Sequence, residues 1–236
     1  MRLFGTMEIR DNSLFIGGVS ALELARSYGT PLYVMDESLI REKCRKYVEA
    51  FRAKHSGNRV VYAGKAFLTS GIVKIIHEEG LYLDVVSGGE LYTAYKSGFP
   101  MGKIYFHGNN KTGEEIRMGI TLNVGRFVVD NFHELDRISE IASRDGARQK
   151  ILLRVSPGIE AHTHDYIKTG QIDSKFGFPM VHDRAIEAAK RAVSLPGVEL
   201  VGLHCHIGSQ IFDTVPYEDA VGVMLSFMLD VQTKTG

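Results

Sequence analysis

Six polar side chains fall where short apolar runs end: Lys65, Asp84, His107, Asp130, Arg154 and His206. Each is a type that can hold, move or share a proton. In VYAGKA, strand alternation puts Lys65 on the side of Ala63 and Val61, opposite Tyr62 and Val60. A lysine turned inward there loses hydration, which lowers its pKa toward nucleophilic use. A lone lysine more often leaves a strand end into water. The five other polar groups at the same kind of position weigh against that ordinary outcome.

His204 and His206 are two apart on a strand and share a face, with Leu203, Cys205 and Ile207 on the other. Three uses suit such a pair: a zinc-type metal pair, a ring lying against a planar ligand, or core histidines with satisfied hydrogen bonds. His162 and His164 repeat the spacing in a polar loop, where solvated histidines are common. Gly208-Ser209 offers a turn whose N–H groups suit a phosphate, although Gly and Ser occur in most turns. Asp84 and Arg154 suit either an ion pair or ligand binding. Helix capping accounts for Ser87 and Glu90 without any ligand.

The elements that must position these residues alternate from residue 59 onward. Strands are predicted at 59–66, 81–87, 103–108, 126–131, 150–158 and 199–209. Helices follow from LTSGIVKIIHEEG, GELYTAYKSG, the stretch after Thr112, FHELDRISEIASRDG, DRAIEAAKRAVS and YEDAVGVMLSFMLDVQ. Thr112–Glu115 and Asn131–Glu134 have capping-box spacing, and Gly80 stands as a helix stop. Repeated strand-then-helix units imply parallel strands with helices outside, as an open doubly wound sheet or a (β/α)8 barrel. No GxGxxG follows the first strand, which lowers the dinucleotide form of the open sheet. Before residue 59 the organisation differs: a short helix, a Gly29–Pro31 turn, an extended run from Leu32 to Met35, and a helix carrying Ile40, Cys44, Tyr47, Val48 and Phe51 on one face.

The chain has 236 residues, with 28 Lys plus Arg balanced by 28 Asp plus Glu. That balance lacks the basic footprint of a nucleic-acid or polybasic membrane binder. No apolar run approaches the ~18 residues of a membrane span, and two cysteines without a CxxC make no disulfide framework. A compact cytoplasmic protein with a small-molecule task is expected.

The segments ELARSYGTPLYVMDE, VYAGKAFL, EEGLYLDVVSGGELYTA, FHGNNKT, LLRVSPGIEAHTHDYIKTGQIDSKFGF and GLHCHIGSQIFD together resemble the fold-type III pyridoxal-phosphate decarboxylases. The resemblance covers essentially the whole chain, and its last two segments are the most specific, pointing to the branch that acts on diaminopimelate. It implies an α/β fold: a TIM barrel of the alanine racemase-like type, truncated after about six β/α units. Residues 31–236 would be an incomplete barrel binding pyridoxal 5'-phosphate, and residues 1–30 a segment that joins a missing C-terminal β domain. Lys65 would form the Schiff base with the cofactor, and His206 would stack on its ring. Ser209 would lie near its phosphate, with Asp84 close to the cofactor and His107 and Arg154 lining the same mouth.

The implied reaction removes carbon dioxide from meso-2,6-diaminopimelate to give L-lysine, in a full-length homodimer. Family members continue with a glycine-rich phosphate loop, an acid facing the pyridine nitrogen and a β domain with substrate-binding residues and an acid Cys. Cys205, on the helix-facing side, is no substitute, so this chain alone is expected to be inactive. Two other expectations stand beside this one: a metal-dependent barrel hydrolase using His204 and His206, and a non-catalytic cofactor-binding homologue.

Overall fold

The computed structural model describes residues 2–158 and 175–236, so His162, His164 and most of the polar loop around them lie outside the described residues. The chain divides into two compact units, Met1–Tyr62 with Thr69–Tyr82, and Ala63–Leu68 with Leu83–Gly236.

The first unit opens with strands β1 (Glu8–Arg10), β2 (Ser13–Ile16) and β3 (Val19–Ser20), an antiparallel sheet in the order β1-β2-β3. Helix α1 (Ala21–Tyr28) follows, and then a cis Thr30–Pro31 bond. The expected extended run Leu32–Met35 forms no strand and is exposed, since no neighbouring backbone pairs with it. In α2 (Glu37–Arg52), Asp36 accepts from Leu39 N to cap the first turn. Of the expected apolar face only Cys44 is buried, while Tyr47 and Phe51 are exposed. Helix α3 (Ser70–Glu78) is capped by Thr69, buries Ile72, Val73 and Ile76, and stops at Gly80, whose φ of 79° needs no Cβ. Arg41 and Arg45 of α2 bind Glu78 and Glu79 at the end of α3.

The second unit carries the repeated strand–helix units. Strand β4 (Val61–Ala63) runs into it, followed by β5 (Tyr82–Val85), α4 (Gly88–Lys96), β6 (Ile104–Phe106), α5 (Gly113–Thr121), β7 (Arg126–Val129), α6 (Phe132–Arg144) and β8 (Gln149–Ser156). After the undescribed residues come β9 (Phe178–Pro179), α7 (Arg184–Ser194), β10 (Val198–His204) and α8 (Val215–Thr235). The sheet order is β10-β8-β7-β6-β5-β4, with β9 paired to β8 off that path. Pairing is parallel from β5 through β10. Neighbours in sheet order that are also neighbours in sequence, each joined by a helix, make this a partial (β/α) barrel.

Strand alternation divides labour. Leu83, Val85, Ile104, Phe106, Phe127, Val129, Ile151 and Leu153 are fully buried against the helical layer, where Leu91, Ile116, Leu135 and Ile138 meet them. The intervening residues, Asp84 and Arg154 among them, turn to the other face. Helix caps sit just beyond the strand ends. Thr112 and Glu115 form the expected reciprocal box. Ser87 and Asn131 also cap, but Glu90 and Glu134 reach one residue further back, to the amides of Val86 and Asp130. Among the described residues, no helix is long and apolar enough to cross a membrane.

Candidate functional site

Parallel pairing brings all the strand ends of the second unit to one edge, and a cavity of about 420 Å³ opens there. That is within the range of small-ligand sites, roughly 300–1,000 Å³. Lys65, Asp84, His107, Arg154, His206 and Ser209 all line it, together with His204, Phe176, Val86, Gly108 and Asn109.

Strand β4 ends earlier than expected, at Ala63, and Lys65 sits in a three-ten turn over Gly64–Ala66. Strand alternation therefore does not aim Lys65. The turn does, and the side chain reaches the cavity while remaining exposed rather than desolvated. Gly64 makes this possible: a Cβ on it would lie 2.6 Å from the Asp84 carbonyl oxygen. Only a glycine lets the β4 turn come this close to β5.

Asp84 lies near the end of β5 with its Oδ1 3.8 Å from His107 Nε2, just after β6. Burial pushes the Asp84 carboxyl up to about 7, against the pull of Lys65. Its Oδ1 and the His204 Nδ1 are buried without a hydrogen-bond partner, the two such side-chain atoms among the described residues. The His107 and His204 rings meet edge to face at 4.7 Å. Burial first, and neighbouring imidazoles and cations second, hold His107 down to about 2 and His204 to about 3. His206 is also lowered, by burial and then by Lys65. All three imidazoles are thus neutral at physiological pH. The shared-face argument holds for His204, the last residue of β10; His206 lies beyond the strand and reaches the cavity from the following loop. Ser209 follows Gly208, whose φ is 141°.

Arg154 pairs with Asp130 at 3.6 Å rather than with Asp84, which acts on it through space. Asp130 stands at the end of β7, the strand next to β8, while its Oδ2 accepts from Gly177 N at 3.0 Å. The guanidinium also lies over the Phe176 ring at 4.3 Å. Burial lowers the Arg154 pKa and raises that of Asp130, so neither charge is fully compensated. Lys111 and Phe176, both close to this wall, are not singled out by sequence reasoning, and Glu134 is read there only as part of a helix cap. The adjacency of Lys111 to the HGNN run is the signal that could have found it.

Chemically the cavity offers an accessible primary amine, neutral imidazole faces, a guanidinium with donors to spare and a hydroxyl at a glycine turn. Together with the unpartnered Asp84 oxygen, this donor set fits a planar, anionic, carbonyl-bearing ligand such as pyridoxal phosphate. Among the described residues no three His, Cys, Asp or Glu side chains gather as metal ligands, so His204 and His206 have no third partner there for the hydrolase alternative.

A family model described as pyridoxal-dependent decarboxylase, pyridoxal binding domain, matches residues 37–236. The chain is 53% identical over 218 residues to the diaminopimelate decarboxylase of Bacillus methanolicus and 49% identical over 218 residues to that of Bacillus subtilis. Each match takes in 92% of this chain and 50% of the relative. The crystal structure of diaminopimelate decarboxylase from M. jannaschii in co-complex with L-lysine is similar with a TM-score of 0.88 and 38% identity, over 97% of this chain and 54% of that one. The Helicobacter pylori enzyme complexed with L-lysine gives 0.79 and 30%, over 89% and 53%. The chain therefore spans about half the length of the curated relatives it matches.

Proposed function

Since the chain belongs to the pyridoxal-dependent decarboxylase family, we propose that it is the cofactor-holding part of an enzyme that decarboxylates meso-2,6-diaminopimelate to L-lysine. One observation carries this reading: Lys65, Asp84, His107, Arg154, His206 and Ser209, from separate segments at the strand ends, line one cavity. The substrate class is supported by the relatives named diaminopimelate decarboxylase and by the two related structures with L-lysine.

Pyridoxal phosphate, when bound, supplies an electron sink for the carbanion left by carbon dioxide. The chain's own residues hold and orient it. Lys65 provides the amine for covalent attachment, and its exposure leaves it free to be displaced by a substrate amine. The neutral His206 ring presents a flat face without competing charge, and Ser209 with the Gly208 turn suits the phosphate. Asp84, poised near neutrality, can give or take a proton at Oδ1 beside His107. Arg154 adds a positive charge to the cavity lining for an anionic group.

The remaining parts of the reading concern the whole protein. We take it to be a cytoplasmic homodimer in which residues 1–30 join a further β domain, residues 31–236 form the barrel portion, and the isolated 236-residue chain does not turn over substrate. The test is borohydride reduction after incubation with pyridoxal phosphate, followed by peptide mass mapping. A phosphopyridoxyl tag concentrated on Lys65, and lost in Lys65→Ala, is expected. Labelling spread evenly over surface lysines would sink the assignment. Carbon dioxide release from labelled diaminopimelate by the full-length gene product tests the substrate, and cofactor uptake with no release would leave a non-catalytic binder.

A further inference from the structure

A second layer of charge lies behind the cavity wall. Lys111 follows β6 by a few residues, and its side chain is only 1% exposed. Its Nζ donates to Gly108 O at 2.7 Å, to Val128 O at 2.9 Å and to Glu134 Oε1. These three acceptors use all the donors an ammonium has. Glu134 is nearly as enclosed, and its Oε2 accepts from Asp130 N at 2.9 Å. Asp130 in turn holds Gly177 N and faces Arg154. A continuous polar path thus runs from Lys111, through Glu134 and the Asp130 peptide, to the guanidinium on the cavity wall.

The path has a physical purpose beyond stability. A buried ion pair is seldom more stabilising than an apolar pair of the same size. What it supplies is fixed geometry, because each member is usable only where its partners are. Two of the three acceptors are carbonyls at the ends of different strands, β6 and β7, and Gly108 itself lines the cavity beside Asn109. We infer that Lys111 is a positioning residue of the cavity: one ammonium fixes the Gly108–Asn109 wall and, through Glu134, the orientation of Asp130 against Arg154. What the wall is for rests on the cofactor reading; the clamp is a property of these side chains alone.

The test uses the full-length protein with both charges removed, Lys111→Met with Glu134→Gln, so that no unpaired charge stays buried. Hydrogen exchange without cofactor is expected to quicken about tenfold at residues 107–110 and 130–131, with the interior of β5 and β8 as protected as before. The Kd for pyridoxal phosphate is expected to rise about tenfold, the equivalent of one lost hydrogen bond. Unchanged exchange at both segments, or a uniform rise everywhere, overturns the inference. Should the double variant fail to fold, Glu134→Gln alone leaves Lys111 on both carbonyls. It should loosen 130–131 while sparing 107–110, and equal effects on the two would overturn the inference. A parent protein that takes up no pyridoxal phosphate defeats the functional reading, yet the exchange comparison still decides the role of Lys111.

Discussion

The two units use the same kind of ion pair in opposite surroundings. Around α2 and α3, Arg41 and Arg45 converge on a largely covered Glu79, while Arg45 and the marginal Glu37 and Glu78 stand in water. Hydrogen bonds from Arg45 and then Arg41 hold the Glu79 carboxyl down to about 2. At the strand ends of the second unit the shifts reverse. Burial raises Asp84, Asp130 and Glu134 and lowers Arg154, although each has an opposite charge nearby. Where several guanidinium hydrogen bonds converge on one carboxylate the partners decide the protonation state; where such bonds are few the lost hydration does. The first arrangement fastens helices, and the second leaves Asp84 close to a change of charge, which is what acid–base chemistry requires.

The comparison can be broken most forcefully at Lys111. Lys111→Met alone leaves Glu134 buried without its cation, and a loss on the order of 3–5 kcal/mol is expected in denaturant melts. Arg45→Met, its exposed counterpart, should cost far less, and comparable losses would erase the distinction. A second effect is expected from Asp84→Asn. The Asp84 pKa is raised in the folded state, so the folded protein holds a proton that the unfolded chain releases, and the Asp84 contribution to stability falls as pH climbs from about 4 to about 7, against the rise that the neutral His107 and His204 contribute below about 6.5. Removing the carboxyl should take away that decline, on the order of 4 kcal/mol, read as the difference between parent and variant melts across that window. Parent and variant profiles that run parallel over that window would contradict the buried carboxyl.

The smallest effect belongs to Glu79. Its pKa is depressed, so its contribution is complete above the ordinary carboxylate range and fades as pH falls toward 2. Glu79→Gln should therefore lower the profile by a constant small amount at neutral and alkaline pH and converge with the parent as pH falls toward 2, and 1 M salt should weaken the parent network in the same direction. A deficit that persists undiminished at pH 2 would place the effect elsewhere.

Much of the second unit is legible in its amino-acid pattern. Alternation in YLDV and in KILLRVS separates core from cavity residues, and the caps at Ser87, Thr112 and Asn131 mark where each strand gives way to a helix. Family resemblance supplies roles for Lys65 and His206 that spacing alone leaves open. The departures share a cause, contacts between segments distant in sequence. Strand alternation would aim Lys65, but backbone crowding at Gly64 accompanies the end of the strand and a three-ten turn takes over. Arg154 and Asp84 both approach strand ends and so suggest a pair; the actual partner of Arg154, Asp130, depends on sheet register. Nothing in its polar run singles out Lys111, which the local Gly108 carbonyl together with a carbonyl and a carboxylate from other segments encloses.

Gly64 carries a last consequence. It contributes no functional group, yet the space where its side chain would stand is filled by the Asp84 carbonyl oxygen. A single added methyl would have to push apart the turn that bears the amine and the strand that bears the acid. The resulting protein would keep every reactive atom of the cavity and still lose their alignment. In a survey of substitutions across this chain, the most intolerant site of the β4 turn would then be its least reactive residue, a defect in chemistry with no chemistry removed.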